Sequence, residues 1–378
     1  MNLKVVEKLQ LGKLVTPLPD RKRPIYSWFP VKEAFSRNLV CLLTETWGLG
    51  EGDLVLDPFA GAGTTLLACK ELGLDCVGFD VHPMMLLASR VKLRDYNVEE
   101  LKRTIEGLMR LKSVERPEVE VPGFVARVFP KFVLEDICSL RQRVAEVVDE
   151  GIREFLLLGL SVAAMKCSWA HKDGAAIKVV KRPVPQFKKT LERQLLLMCH
   201  DLERFRTKPA RVRIEHCDAR KLKLKDDAID AVITSPPYLR KHEYIHAYRI
   251  EQWITGSDAP RMDELIGAPA GDATGEDFSE IAEFVKDRPP EAKLYFKDML
   301  AAIKELHRVC RRGAKVCMVA SDGCSHEGVV EVCETLCKLA ELAGFKTKQM
   351  IVVNKRFCTT PARKKVGVTR ESLLMWER

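Results

Sequence analysis

Residues 57–65 read Asp57-Pro58-Phe59-Ala60-Gly61-Ala62-Gly63-Thr64-Thr65, between the apolar run Leu54-Val55-Leu56 and the stretch Leu66-Leu67-Ala68-Cys69-Lys70-Glu71-Leu72, whose apolar residues keep helical spacing. The pattern predicts a strand, a tight glycine turn and a helix. Further on, Cys76-Val77-Gly78-Phe79-Asp80 predicts a second short strand ending in a carboxylate. Such a βαβ unit binds nucleosides: the glycines let backbone approach a ligand, and the acid accepts both ribose hydroxyls. The competing reading is an ordinary α/β turn whose glycines only make a bend; the acid at the end of the next strand argues for the ligand. The turn is not GxGxxG, which makes a dinucleotide the poorer guest.

A second stretch able to do chemistry is Ala231-Val232-Ile233-Thr234-Ser235-Pro236-Pro237-Tyr238. An apolar strand from Ile229 to Ile233 runs into polar residues, two prolines and an aromatic. The prolines fix φ and remove two N–H donors, so the strand end is rigid and rich in free carbonyls. A carbonyl beside the Ser235 hydroxyl can accept hydrogen bonds from an exocyclic amine, and Tyr238 offers a face on which a planar base stacks. Taken alone, a Pro-Pro turn that merely closes a strand would explain these residues.

Together the two stretches resemble the nucleic-acid amino-methyltransferases that act on cytosine N4 or adenine N6. DPFAGAGTT is similar to that family's cofactor motif DPFxGxGTT, and TSPPY to its catalytic (D/N/S)PPY. The resemblance covers about residues 24–90 and 211–253, thins from 296 to the C-terminus and is absent between. It implies an α/β, Rossmann-like class I methyltransferase sheet with a closing antiparallel hairpin, S-adenosylmethionine as cofactor and nucleic acid as partner. The cofactor set it implies is Phe35, Ser36, Asp57, Pro58, Phe59, Gly61, Gly63, Thr64, Thr65, Asp80 and Asp218. Phe35 and Ser36 match a segment packed on the methionine end of the cofactor, although a helix-packing aromatic and a helix N-cap would read the same. Asp218 matches the acid that holds the adenine amino group. Ser235, Pro236, Pro237 and Tyr238 are the catalytic match, and serine at that position goes more often with cytosine N4 than with adenine N6. The expected function is therefore methyl transfer to a base amine, cytosine N4 preferred and DNA slightly favoured. The alternatives are ribosomal RNA cytosine N4, DNA adenine N6 and, remotely, a protein glutamine amide. The last uses Asn in front of PPY, so Ser235 and the basic charge weigh against it.

The elements that must position these residues lie in a chain of 378 residues, 46% apolar, with a formal charge of +9. The charge suits a polyanion without requiring one. No run of eighteen apolar residues occurs, and the first residues lack a signal-peptide core, so the expected location is cytoplasmic, away from membrane. The expected layout is a basic leader over 1–23, a cofactor-binding half over 24–95, an inserted helical subdomain over 96–205 and a catalytic half over 206–378. In the insert, Lys178, Lys181 and Arg182 belong to a basic loop and are candidate phosphate contacts, as are Arg240 and Lys241 beside Tyr244 after the catalytic strand. Trp169 reads as core. Residues 257–285 carry eight acids against the single base Arg261, too acidic for a phosphate clamp, and read as a lid, flap or specificity insert. Residues 293–311 read as a helix that Arg311-Arg312-Gly313 closes. The thirteen cysteines include no CxxC pair. Cys324, His326, Cys333 and Cys337 are a weak zinc pattern, read as core packing rather than metal or disulfide.

Overall fold

A computed structural model describes residues 3–110, 120–173, 176–239, 247–268, 277–286, 288–324, 328–359 and 365–378. In chain order the strands are β1 (Val5–Glu7), β2 (Leu54–Asp57), β3 (Asp75–Asp80), β4 (Ala170–Asp173), β5 (Ala176–Val179), β6 (Val212–His216), β7 (Ile229–Thr234), β8 (Cys310–Ser321), β9 (Gly323–Cys324), β10 (Val329–Val330), β11 (Lys346–Thr359) and β12 (Lys365–Glu377). The helices are α1 (Arg37–Trp47), α2 (Thr64–Leu72), α3 (Pro83–Leu93), α4 (Val98–Arg110), α5 (Gly123–Ala126), α6 (Lys131–Ala145), α7 (Glu150–Lys166), α8 (Phe187–Arg204), α9 (Arg249–Thr255), α10 (Ala282–Val285), α11 (Pro290–Val309) and α12 (Val332–Leu342).

Among the described residues one eight-stranded sheet runs in the order β1-β11-β12-β8-β7-β2-β3-β6. β6, β3, β2, β7 and β8 pair in parallel. β7 is buried along its whole length, as a strand covered on both faces must be, and its Ile-Asp-Ala-Val-Ile-Thr sequence is correspondingly apolar. β11 and β12 form the antiparallel hairpin that closes the sheet, with Met350 opposite Leu374 and Ile351 opposite Leu373. This is the Rossmann-like methyltransferase sheet the sequence predicts. The leader adds something unforeseen: β1 lies parallel to β11 at the sheet edge.

β2 is flanked by β3 on one side and β7 on the other, so the chain reverses its direction of winding there. Ligands of open α/β sheets bind at the carboxyl ends of the strands at such a point. Asp57 and Thr234 end the two strands that meet there.

Between β3 and β6 the chain forms α3 to α8 with the antiparallel β4–β5 hairpin inserted. Apolar residues three and four apart, such as Leu101, Ile105 and Leu108, fill one face of α4. The helices share a core with sheet-side elements: Phe155, Leu195 and Met198 belong to one cluster with Trp28, Met84 and Ile250. Trp28 is held there by an indole hydrogen bond of 2.8 Å to Asp201.

Three expectations need correction. Trp169 is only half-buried; its indole N–H donates to the Arg182 carbonyl at 2.9 Å and the Lys181 ammonium sits 5.5 Å from its ring centre. α11 ends at Val309, and Arg311-Arg312-Gly313 is already part of β8, because β8 must pair with β7 from Cys310 onward. Cys324 forms a disulfide with Cys358, joining β9 to β11, whereas Cys333 and Cys337 are buried in the core. His326 lies outside the described residues. Among the described residues no group of His, Cys, Asp or Glu is arranged to hold a metal ion, and no helix is long and apolar enough to cross a membrane.

Candidate active site

The glycine turn begins where β2 stops. Asp57 is buried, and its carboxylate accepts from the Thr65 hydroxyl at 2.7 Å, the Thr234 hydroxyl at 2.7 Å and the Phe59 N–H at 3.2 Å. Burial lifts its pKa to about 6, although those hydrogen bonds favour the ionised form. Asp57 is therefore a knot: one oxygen takes the first turn of α2, the other takes the residue in front of Ser235. Gly61 and Gly63 both have positive φ, +51° and +82°, where a side chain would be strained. A Cβ on Gly63 would also fall 2.8 Å from the Ser89 hydroxyl, while one on Gly61 would meet nothing within 4 Å. Gly61 thus turns bare backbone toward open space.

Asp80, at the end of β3, accepts from Gly61 N–H at 2.7 Å and His82 N–H at 2.8 Å. Burial raises its pKa against the pull of those N–H groups. It pins the glycine turn and keeps lone pairs for hydroxyl donors. Asp218, just beyond β6, accepts both Nε and Nη2 of Arg220, at 3.0 and 2.7 Å on one oxygen. Arg220 also donates to Asp298 at 2.8 Å and to the Asp263 carbonyl. Burial lowers its pKa, but these hydrogen bonds raise it by more, so the guanidinium stays charged.

One cavity gathers these strand ends. Phe35, Asp57, Pro58, Phe59, Gly61, Thr64, Asp80, Asp218, Ser235, Pro236 and Pro237 all line it. Four residues of the sequence-derived set do not. Gly63 and Thr65 sit behind the turn as spacer and Asp57 partner. Ser36 precedes α1, but its hydroxyl donates to the Leu14 carbonyl at 3.1 Å instead of capping the helix. Asp20 does the capping, accepting Arg37 N–H at 2.7 Å. Tyr238 is turned toward the closing hairpin and donates to Glu371 at 3.1 Å.

Several residues at the cavity were missed by sequence reasoning. Glu33, His82 and Met85 line it, and so do Glu264, Leu265 and Ile266 from the acidic segment. That segment is fastened by Arg220 to the Asp263 carbonyl and by Gly267 N–H to Asp298 at 2.7 Å, which makes it a wall of the cavity beside Asp218. Lys92 is buried beneath the turn and donates to the Ala62 carbonyl at 3.1 Å and the Phe29 carbonyl at 3.3 Å, with burial drawing its pKa down to about 7. His82 had a readable signal, since a polar residue before Pro83 is a helix start; its Nδ1 accepts Met84 N–H at 3.2 Å.

Lys178, Lys181 and Arg182 are exposed on and just after β5. Lys172 of the same hairpin lies 4.4 Å from the Tyr248 ring centre, and Tyr248 packs edge-on against His82 of the cavity. The hairpin therefore stands beside the cavity. Arg240, Lys241 and Tyr244 lie outside the described residues, as do 269–276 of the acidic segment.

The cavity offers acids at the ends of β3 and β6, apolar walls from Phe35, Pro58 and Phe59, and a bare glycine backbone, a donor set that fits a nucleoside carrying a sulfonium amino-acid tail. Residues 33–89 match the N6/N4 family model described as DNA methylase. The type II methyltransferase M.BsoBI of Geobacillus stearothermophilus is 25% identical over 97% of this chain and 88% of its own. M.AvaI of Anabaena variabilis is 23% identical over 90% and 83%, and M.MjaII of Methanocaldococcus jannaschii 22% over 80% and 73%. Over residues 33–89, and through these relatives over most of its length, the chain is similar to the N4/N6 family of DNA methylases. Together with the cavity, the family-model match and the methyltransferase relatives mark the protein as an S-adenosylmethionine-dependent N-methyltransferase.

Proposed function

We propose that this enzyme methylates cytosine N4 in DNA. The observation that carries the reading is the convergence of Ser235, Pro236 and Pro237 with Gly61, Asp80 and Asp218 on one cavity. Ser235 in front of the two prolines supports cytosine over adenine, and the type II methyltransferase relatives support DNA over RNA. When bound, S-adenosylmethionine supplies an electrophilic methyl group.

The residues have separate tasks in this reading. Asp80 accepts the ribose hydroxyls, and Asp218, oriented by Arg220, accepts the adenine amine. Phe35, Pro58 and Phe59 provide the apolar walls. The exocyclic amine of cytosine is a poor nucleophile because its lone pair is delocalised into the ring. Ser235 Oγ and the Pro236 carbonyl accept its hydrogens, favouring the tetrahedral nitrogen and holding it in line for attack. Tyr238 stacks on the base. A serine hydroxyl is too weakly basic to take the proton before transfer, so the proton leaves afterwards to water or along the Pro236 carbonyl. In duplex DNA the base must first be flipped out, and Lys178, Lys181 and Arg182 hold neighbouring phosphates while it is.

The test is radiolabelled methyl transfer into matched pools of duplex DNA and unmodified ribosomal RNA, followed by nucleoside analysis. N4-methylcytosine in DNA is the expected product. N6-methyladenine would overturn the cytosine assignment, and label confined to RNA would overturn the DNA assignment.

A further inference from the structure

The hairpin that closes the sheet brings a carboxylate to the catalytic strand. Glu371, on β12, accepts the Tyr238 hydroxyl on one oxygen at 3.1 Å and the Asn354 amide on the other at 3.3 Å. Its side chain is only 14% exposed, so both contacts are sheltered from competing water. Arg356, largely exposed, stands at the rim with its guanidinium 4.0 Å from the second oxygen.

Two features of the hairpin fix this arrangement. β11 slips register between Val352 and Asn354, opposite Ser372 and Glu371. Such an irregularity re-aims the side chain that follows it, here Asn354 onto its cross-strand partner Glu371. The neighbouring Arg370 points to the other face, where Nε donates to the buried Asp322 at 2.8 Å and Nη1 to Glu334 at 2.9 Å. Because strand side chains alternate, anchoring Arg370 on one face commits Glu371 to the other, toward Tyr238.

We infer that Glu371 is a positioning residue for methyl transfer: it holds the ring of Tyr238 in the place where the target base stacks, and Asn354 holds Glu371. The inference rests on the reading of Tyr238 as the stacking residue. It gives β11–β12 a part in substrate geometry, beyond closing the sheet. The phenol cannot swing about Cα–Cβ while its hydroxyl is tied to a carboxylate that is itself held from a second side. With the carboxylate gone, Tyr238 keeps its ring but loses its fixed direction, and the cost appears in the rate at which bound base reacts.

The experiment measures kcat, KM for duplex DNA, S-adenosylmethionine affinity and thermal stability for E371A, E371D, E371Q, Y238F, Y238A and the E371A/Y238F double variant. Losing a hydrogen bond to a charged group predicts a kcat for E371A lower by about 10- to 100-fold, with cofactor affinity unchanged. E371D, whose carboxylate is withdrawn by one methylene, follows E371A and serves if E371A does not fold. E371Q, which still accepts the hydroxyl, stays within about 3-fold of wild type, since one neutral hydrogen bond replaces one to a charge. Y238F falls as E371A does, and the double variant falls no further, because both changes remove one interaction. Wild-type kcat in E371A or E371D, or losses that multiply in the double variant, would overturn the inference. Full activity of Y238A would overturn the stacking reading itself and this inference with it.

Discussion

The two strands that meet at the centre of the sheet end at the same cavity with opposite chemistry. β2 gives way to a glycine turn whose backbone is bare of side chains at Gly61 and whose N–H groups are held inward, Gly61 N–H by Asp80 at 2.7 Å and Ala60 N–H by the Phe79 carbonyl at 2.9 Å. β7 gives way to Pro236 and Pro237, which bring carbonyls and no N–H at all. One end suits a nucleoside with hydroxyls and a sulfonium tail; the other suits an amine that must shed hydrogens. Asp57 joins them, since its two oxygens take Thr65 behind the glycine turn and Thr234 in front of Ser235. The two ends are thus mechanically tied and chemically complementary, and substitutions should tell them apart except at the tie.

The tie should give the largest effect. Asp57→Ala strands two buried hydroxyls, and calorimetric melting should show a loss of about 3 kcal/mol together with loss of cofactor binding and of transfer. A gentler change sharpens the same point. Burial holds the Asp57 carboxyl up to about 6, above its ordinary 3.8, so the folded state binds the proton more tightly than the unfolded chain. The stability that comes from this is complete below about pH 4 and is lost as pH rises through about 6. Thermal melts of Asp57→Asn should lack that decline, and a decline equal to the wild type's would remove the assignment.

Next comes the β7 side. Stacking on an aromatic is worth about 1–3 kcal/mol per base, so Tyr238→Ala should cut transfer by roughly 10- to 100-fold in steady-state assays while cofactor titrations stay unchanged. On the β6 side, Asp218→Asn should weaken S-adenosylmethionine by roughly 10-fold, in line with the loss of one hydrogen bond to a charge, and leave kcat at saturating cofactor intact. Smallest is the basic hairpin. Lys181→Ala should reduce the slope of log affinity for DNA against log salt by about 1, in binding measured across a salt series.

The glycine turn, the strand acids and the proline pair were legible because each is a local pattern: an apolar run, then residues whose backbone preferences force a turn. The parallel sheet and its closing hairpin were expected from the resemblance that the first and last of these patterns carry. What the sequence hid depends on distant partners. Arg220 looks like one more surface base until Asp218, Asp298 and the Asp263 carbonyl converge on it. Asp20, seventeen positions before Arg37, supplies the cap in place of Ser36. Lys92 sits in an apolar helix with no mark to show that three carbonyls await its ammonium. A tryptophan in a helical region suggests core, but the polar edge of Trp169 donates to the Arg182 carbonyl nearer the surface. Cys324 and Cys358 are far apart in sequence, and only the packing of β9 on the far part of β11 brings them within bonding range.

The division of labour between the two strand ends is tested most directly by one pair of titrations. S-adenosylmethionine is titrated calorimetrically into wild-type and Ser235→Ala enzyme, and methyl transfer to duplex DNA is measured on the same samples. The expected result is equal cofactor affinity in both and loss of transfer in the variant. Cofactor affinity that falls in step with transfer, or transfer that survives without the hydroxyl, would contradict it.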